Sequence, residues 1–322
     1  MSAHTQAVRR HGPRLSLGLR DAGVLIGLLL IVAVFSVLTP TFLSERNLIN
    51  VLQQSSINAC IAVGMTLVII SGGIDLSVGP VAALAAVIAG SMMLAGVPPA
   101  AAAAAALLVG VGCGAINGAI VAFGGLQPFI VTLGTLSLFR ALALIYTGGN
   151  PILGVPAAFR DVLNAHVGML PVPVVLVAGI SLLAWVILRK TPLGDYLLAV
   201  GGNEEAARVA GVPIAATKIA AYAISGFLAA VAALILVGRL GAAEPILGNL
   251  WELQAIAAAA IGGASLMGGK GSIVGTLLGA VILGAMSNGL TLLNVQAFYQ
   301  LLATGLIILA AMLIDRATRG RG

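Results

Sequence analysis

Residues 193–218 read LGDYLLAVGGNEEAARVAGVPIAATK, a polar island in a chain that is otherwise close to continuous hydrocarbon. Asp195, Glu204, Glu205, Arg208 and Lys218 fall within it. A charged side chain at the centre of a bilayer costs several kcal/mol, so the island belongs in water. Asn203 is a strong N-cap, Glu204 and Glu205 complement the positive end of a helix dipole, and Ala206, Ala207 and Arg208 favour helix. Gly211 and Pro213 supply the stop. Residues 203–210 therefore read as a short capped helix held between membrane spans, where another protein can push on it. An ordinary solvated loop would have the same composition.

Outward from the island the chain is that of a membrane protein. Of its 322 residues 60% are hydrophobic and only 8% charged, and the mean hydropathy is +1.13; a soluble globule carries about 25% charge. Apolar runs of roughly 17–25 residues alternate with short polar breaks, which fits membrane helices and not the ~10-residue strands of a barrel. The fold class is an all-α polytopic membrane protein. Ten spans are expected, at about 22–39, 51–70, 78–96, 99–123, 129–147, 172–188, 217–238, 253–267, 273–291 and 297–314.

Ten spans put both termini on one side, with Arg9, Arg10, Arg14, Arg20, Arg189, Lys190, Arg208, Lys218, Lys270, Arg316, Arg319 and Arg321. Arg46, Arg160 and Arg239 face the other side, and Arg140 falls inside a span. The positive-inside rule makes the first side cytoplasmic. The chain then divides into a basic cytoplasmic segment 1–21, a transmembrane domain 22–314 with a cytoplasmic loop at about 189–216, and a cytoplasmic tail 315–322. The head reads as an uncleaved first span rather than a signal peptide. The net charge of +6 is spread along the chain and tracks topology, which argues against nucleic acid. Cys60 and Cys113 lie in apolar runs without ligand spacing and His4, His11 and His166 are isolated, so no metal is expected.

Glycine is concentrated in the spans. Gly110, Gly114 and Gly118 recur every four residues, as do Gly275 and Gly279, and such faces let helices approach closely. On the outer side, prolines bracket residues 157–166, which suit a short interfacial helix, either a dock for an external partner or a spacer. GGIDLSVGPVAALAAVIAG from Gly72 and GGKGSIVGTLLGAVILG from Gly268 echo one another weakly, as duplicated halves of transporters do, or by coincidence in a Gly/Ala-rich chain.

SGGIDLSVG, from Ser71, interrupts two apolar runs, and a backbone break in a membrane must be buried in protein or line water. Asp75 is expected at the cytoplasmic edge as the cap of a helix starting at Leu76, the alternative being a titrating or substrate-binding carboxylate. Arg140 near the middle of a span has no partner that the sequence names. Asn58, Asn117, Phe129, Thr132 and Asn288 are candidates to line a path for a hydroxylated solute, as are Gln53, Gln54, Ser55, Thr135, Ser287 and Asn294; interhelical hydrogen bonding is the alternative for each polar one. GGKGS at Gly268 is no P-loop, because Ala264 stands at the first glycine position and Gly271 follows Lys270. No nucleophile, base and acid set is evident either, so the chain is expected to be no enzyme on its own.

Four motifs in order, SGGIDLSVG at Ser71, QPFIVTLGT at Gln127, VGGNEEAARVAGV at Val200 and GGASLMGGKGSIVGTLLGA at Gly262, resemble the permease subunits of bacterial ABC importers of the ribose/monosaccharide type. The resemblance runs from about the second span to the last. The island is similar to the cytoplasmic loop in which Glu-Ala-Ala precedes a glycine, here Glu205, Ala206, Ala207 and Gly211; the Ile-x-Leu-Pro ending of many such permeases has no counterpart. The resemblance implies a pore of two copies, or of one copy and a close relative, in the bacterial cytoplasmic membrane. A cytoplasmic ATPase subunit carrying ATP and Mg would grip Gly202, Asn203, Glu204, Glu205, Ala206, Ala207, Arg208 and Gly211, and an extracytoplasmic binding protein would deliver a monosaccharide. The chain itself would hold no cofactor. Rival readings are a permease of the same superfamily for branched-chain amino acids or nucleosides, an ion-coupled transporter, which would need mid-membrane acids or histidines, and a membrane scaffold.

Overall fold

The computed structural model describes residues 19–319; Arg9, Arg10, Arg14, Arg321 and the outermost parts of both terminal segments lie outside the described residues. Helices α1 Leu19–Leu38, α2 Glu45–Ile70, α3 Val78–Leu94, α4 Pro99–Phe123 and α5 Pro128–Thr147 come first, followed by α6 Ala157–Asn164 and α7 Val172–Lys190. The island folds as α8 Pro192–Gly202 and α9 Glu204–Val209. Then come α10 Ile214–Leu240, α11 Trp251–Ile261, α12 Ile273–Leu292 and α13 Ala297–Arg319. Two small ladders interrupt the helical pattern: β1 Ile152–Leu153 pairs antiparallel with β4 Ala242–Ala243, and β2 His166–Val167 with β3 Leu170–Pro171. Among the described residues six helices, α2, α4, α5, α7, α10 and α12, are long and apolar enough to cross a bilayer.

Sequence punctuation sets the ends. Ser44 caps α2 by accepting from the Asn47 amide, and prolines open α4, α5, α7 and α8, where a missing N–H costs nothing. The glycine faces do the packing. A methyl group at Gly110, Gly114 or Gly118 of α4 would overlap the backbone of α10 at Gly226, Tyr222 or Ile219, and α4 with α10 is the most extensive helix pair. Gly275 and Gly279 of α12 press in the same way on Gly262 and Ala258 at the end of α11.

Two expectations need correction. The span expected at 253–267 stops at Ile261, because Gly262 lies against the Gly275 backbone and Gly263 takes a positive φ; its eleven residues reach about 16 Å, half a bilayer. The break at 71–77 is not at an edge. It bonds Thr132, four residues after the start of α5, Asn117, six residues before the end of α4, and Ser225, eleven residues after the start of α10, so it runs from roughly 6 to 17 Å inside the helix ends. Hence α3 starts deep and is short, and it starts at Val78 rather than Leu76.

The second break runs from β4 to α11. Ala243 lies against Gly90 of α3, and five residues on Gly248 meets the Gly79 backbone near the start of the same helix. The chain thus dips inward along α3 before α11 begins. The two interrupted helices α3 and α11 start close together, an arrangement that transporters use to build sites inside the membrane. Outside this pair α6 turns inward: Phe159 is buried and Leu163 covers Gly238 of α10.

Candidate functional site

The island presents one exposed helix. Asn203 Oδ1 accepts from the Ala206 amide, closing the start of α9. At its end the Gly211 amide donates to Arg208 O and the Val212 amide to Ala207 O, with Gly211 at φ +80, the left-handed stop that a glycine allows. Ala207 is buried and anchors the helix, whereas Glu205, Arg208 and Val209 face out. Arg208 pairs with Glu204 at 3.0 Å and Glu205 at 3.7 Å on the surface. The remaining oxygen of Glu204 accepts from Lys218 Nζ of α10 at 2.7 Å.

Above α9 three glycine pairs converge. Gly201 and Gly202, at the end of α8, touch Gly72 in the first break and Gly268 and Gly269 in the turn before α12, and the Gly269 amide donates to Ile70 O at the end of α2. The two echoing glycine motifs thus meet against α8. A cavity of about 290 Å³ opens beside them, lined among others by Gly73, Asn203, Glu204, Lys218 and Tyr222.

The first break is held by polar groups from three helices. Asp75 Oδ1 accepts from the backbone amide of Ser77 at 3.0 Å and from its hydroxyl at 2.7 Å, and Asp75 Oδ2 accepts from Ser225 of α10 at 3.0 Å. Asn117 of α4 donates to Ser77 Oγ at 2.7 Å. The free carbonyl of Ile74 takes the hydroxyls of Thr132 and Tyr222. These bonds satisfy a backbone that the helices around it would otherwise leave without partners. The second break is held by Arg140 of α5, whose Nη1 donates to Pro245 O at 2.8 Å and Leu247 O at 2.9 Å.

A cavity of about 590 Å³ lies between α2, α10, α11, α12 and α13. It reaches from Arg239 and Phe298 at the helix ends remote from α9 to Asn58 and Gly284, halfway along α2 and α12. Gln54, Asn249, Trp251, Gln254, Ser287, Gln300 and Thr304 also line it, and among the described lining residues none is acidic. Gln54 Oε1 is buried without a hydrogen-bond partner. Leu250, on the wall, sits at φ +62, a strained conformation for a branched side chain.

The five residues expected to line a path are scattered. Asn58 faces the large cavity. Asn117 and Thr132 brace the first break, and Asn288 exchanges hydrogen bonds with Asn47 of α2 at 2.9 and 3.0 Å. Phe129 is half exposed at the start of α5. Gln54 and Ser287 were visible in the sequence as polar groups in apolar runs, whereas Trp251, Gln254 and Gln300 gave no signal that set them apart. Tyr222 and Glu252 are further buried polar side chains, the latter with Oε2 beside Gly79.

Two interrupted helices, one of which (α11) lines a cavity with amides and hydroxyls set into its wall, and an exposed capped helix at one end are the features of a transport permease. A family model described as branched-chain amino acid transport system / permease component matches residues 47–312, and the chain belongs to that family. Similar curated proteins are the ribose import permease protein RbsC of Haemophilus influenzae, 44% identical over 90% of this chain and 91% of its own, and the D-allose transport system permease protein AlsC of Escherichia coli, 40% identical over 91% of each. The galactose/methyl galactoside import permease protein MglC of Salmonella typhimurium is 35% identical over 92% of this chain and 94% of its own. No solved structure gives a significant match.

Proposed function

We propose that the chain is the permease subunit of an ATP-driven importer for a neutral monosaccharide, and that the 590 Å³ cavity is where the sugar rests on its way through. The observation that carries this reading is the chemistry of that cavity. Its volume falls in the range of about 300–1,000 Å³ usual for small-molecule sites. Its wall is largely apolar, with the Trp251 indole offering a flat face, and amides and hydroxyls such as those of Asn58, Asn249, Gln254 and Ser287 are set into it beside the Arg239 guanidinium. A zwitterionic amino acid would need a carboxylate for its ammonium group, and the lining supplies none among its described residues. The ribose, allose and galactose permeases it resembles support a sugar.

In this reading the six long helices and the four shorter apolar ones form ten spans in a bacterial cytoplasmic membrane, with both termini and α9 on the cytoplasmic side. Two copies, or one copy and a related permease, enclose the path. A separate ATPase subunit, which holds ATP and Mg, docks on residues 202–211, and a binding protein delivers sugar to the opposite face. Asp75 serves as a structural brace of the first break. The test is competition in liposomes containing the complete complex: unlabelled D-ribose, D-allose or D-galactose suppresses uptake of a labelled monosaccharide, leucine and adenosine do not, and Gln54→Ala and Trp251→Ala raise the half-saturating concentration. Accumulation of labelled leucine in place of sugar would refute the assignment.

A further inference from the structure

We infer that Lys218, Tyr222 and Ser225 are positioning residues that carry movement of α9 to the break at 71–77. The inference rests on the importer reading above.

The three residues stand at i, i+4 and i+7 on α10, one face of the helix. Each bonds a different part of the machine. Lys218 holds Glu204 of α9, Tyr222 donates to the Ile74 carbonyl at 3.3 Å, and Ser225 donates to Asp75. The ion pair differs from its neighbours on α9: the Lys218 side chain is 14% exposed, the Arg208 side chain 58%. Screening by water weakens the exposed pairs far more.

Rigidity comes from α4. With Gly110, Gly114 and Gly118 seated on the α10 backbone, the two helices have no slack between them and move together, and α4 also brings Asn117 to Ser77. The element that gives way is the break. Gly72, at φ +83, and Gly73 form its mouth, and the 290 Å³ cavity beside them leaves it room. The same motion is delivered a second time where Gly201 meets Gly72. A push on α9 therefore reaches the break through packed backbone and through three side-chain bonds.

The experiment uses liposomes containing the complete complex and reads sugar imported per ATP hydrolysed, normalised to the chain in the membrane. Lys218→Gln and Tyr222→Phe each lower that ratio about fivefold or more, the size of a typical coupling between sites. Lys218→Arg keeps it, and the double variant falls no further than the lower single, because both act in one relay. Gly73→Ala, whose methyl would press on the Tyr222 hydroxyl, lowers it from the other partner. Ratios that stay at the unsubstituted value, or uptake and hydrolysis that fall together as for a merely damaged protein, overturn the relay. An unsubstituted complex that imports no sugar with ATP overturns the importer reading instead.

Discussion

Gly114 shows how much one absent side chain decides. Its Cα faces the Tyr222 carbonyl of α10 with no space for a methyl group, whereas Gly112, two residues earlier on the same helix, has open space around it. Overpacking costs about 1–3 kcal/mol. Gly114→Val is expected to lower the thermal midpoint of the detergent-purified protein while Gly112→Ala leaves it unchanged or raises it; equal shifts would mean that the glycine face does not set the distance. The four-residue spacing made the face legible, but nothing in it names the partner helix. Arg140 was less legible still. Its acceptors are two main-chain carbonyls more than a hundred residues later, and a carbonyl leaves no mark in a sequence. Arg140→Leu strands both, at about 1–3 kcal/mol for a buried group left unpaired, and Arg140→Lys, which still donates, is expected to lose less on chemical denaturation. Loss of the same size in both would argue that the bonds are incidental.

At the scale of the element, α9 was readable because its signals are local: an Asn cap, two glutamates in the first turn and a left-handed glycine stop all lie within nine residues. Removing the cap costs about 1 kcal/mol. Asn203→Ala is accordingly expected to speed hydrogen exchange of the Ala206 amide several-fold without changing exchange in α10; unchanged protection at Ala206 would show that the cap is dispensable. The breaks were only partly readable. Glycine and acid marked an interruption at 71–77, yet its depth depends on how far α4 and α10 extend past it, and hydropathy gives lengths without relative heights. The eighth span was drawn too long for a related reason. Ala264, Leu266 and Met267 keep the segment apolar after Gly262 and Gly263 have ended the helix, so composition and backbone disagree there.

Across the whole molecule, the topology joins what the sequence keeps apart. The large cavity draws its lining from five helices and the turn before α11, and every polar residue in it has an interhelical hydrogen bond as an equally good reading until the helices are placed. Ser287 took that alternative with Gln300 of α13, while Gln54 Oε1 is buried without a partner. The convergence of glycine pairs from α8, the first break and the turn before α12 likewise appears only in three dimensions, although two of those motifs echo each other along the chain. In the proposed importer, energy enters at α9 and sugar at the opposite face. The measurement that tests this most directly is uptake of labelled ribose into liposomes holding the permease with its ATPase and loaded binding protein, with nucleotide supplied on one face at a time. Accumulation that requires ATP on the α9 face is the predicted result; uptake that proceeds without nucleotide, or only with ATP on the other face, would contradict it.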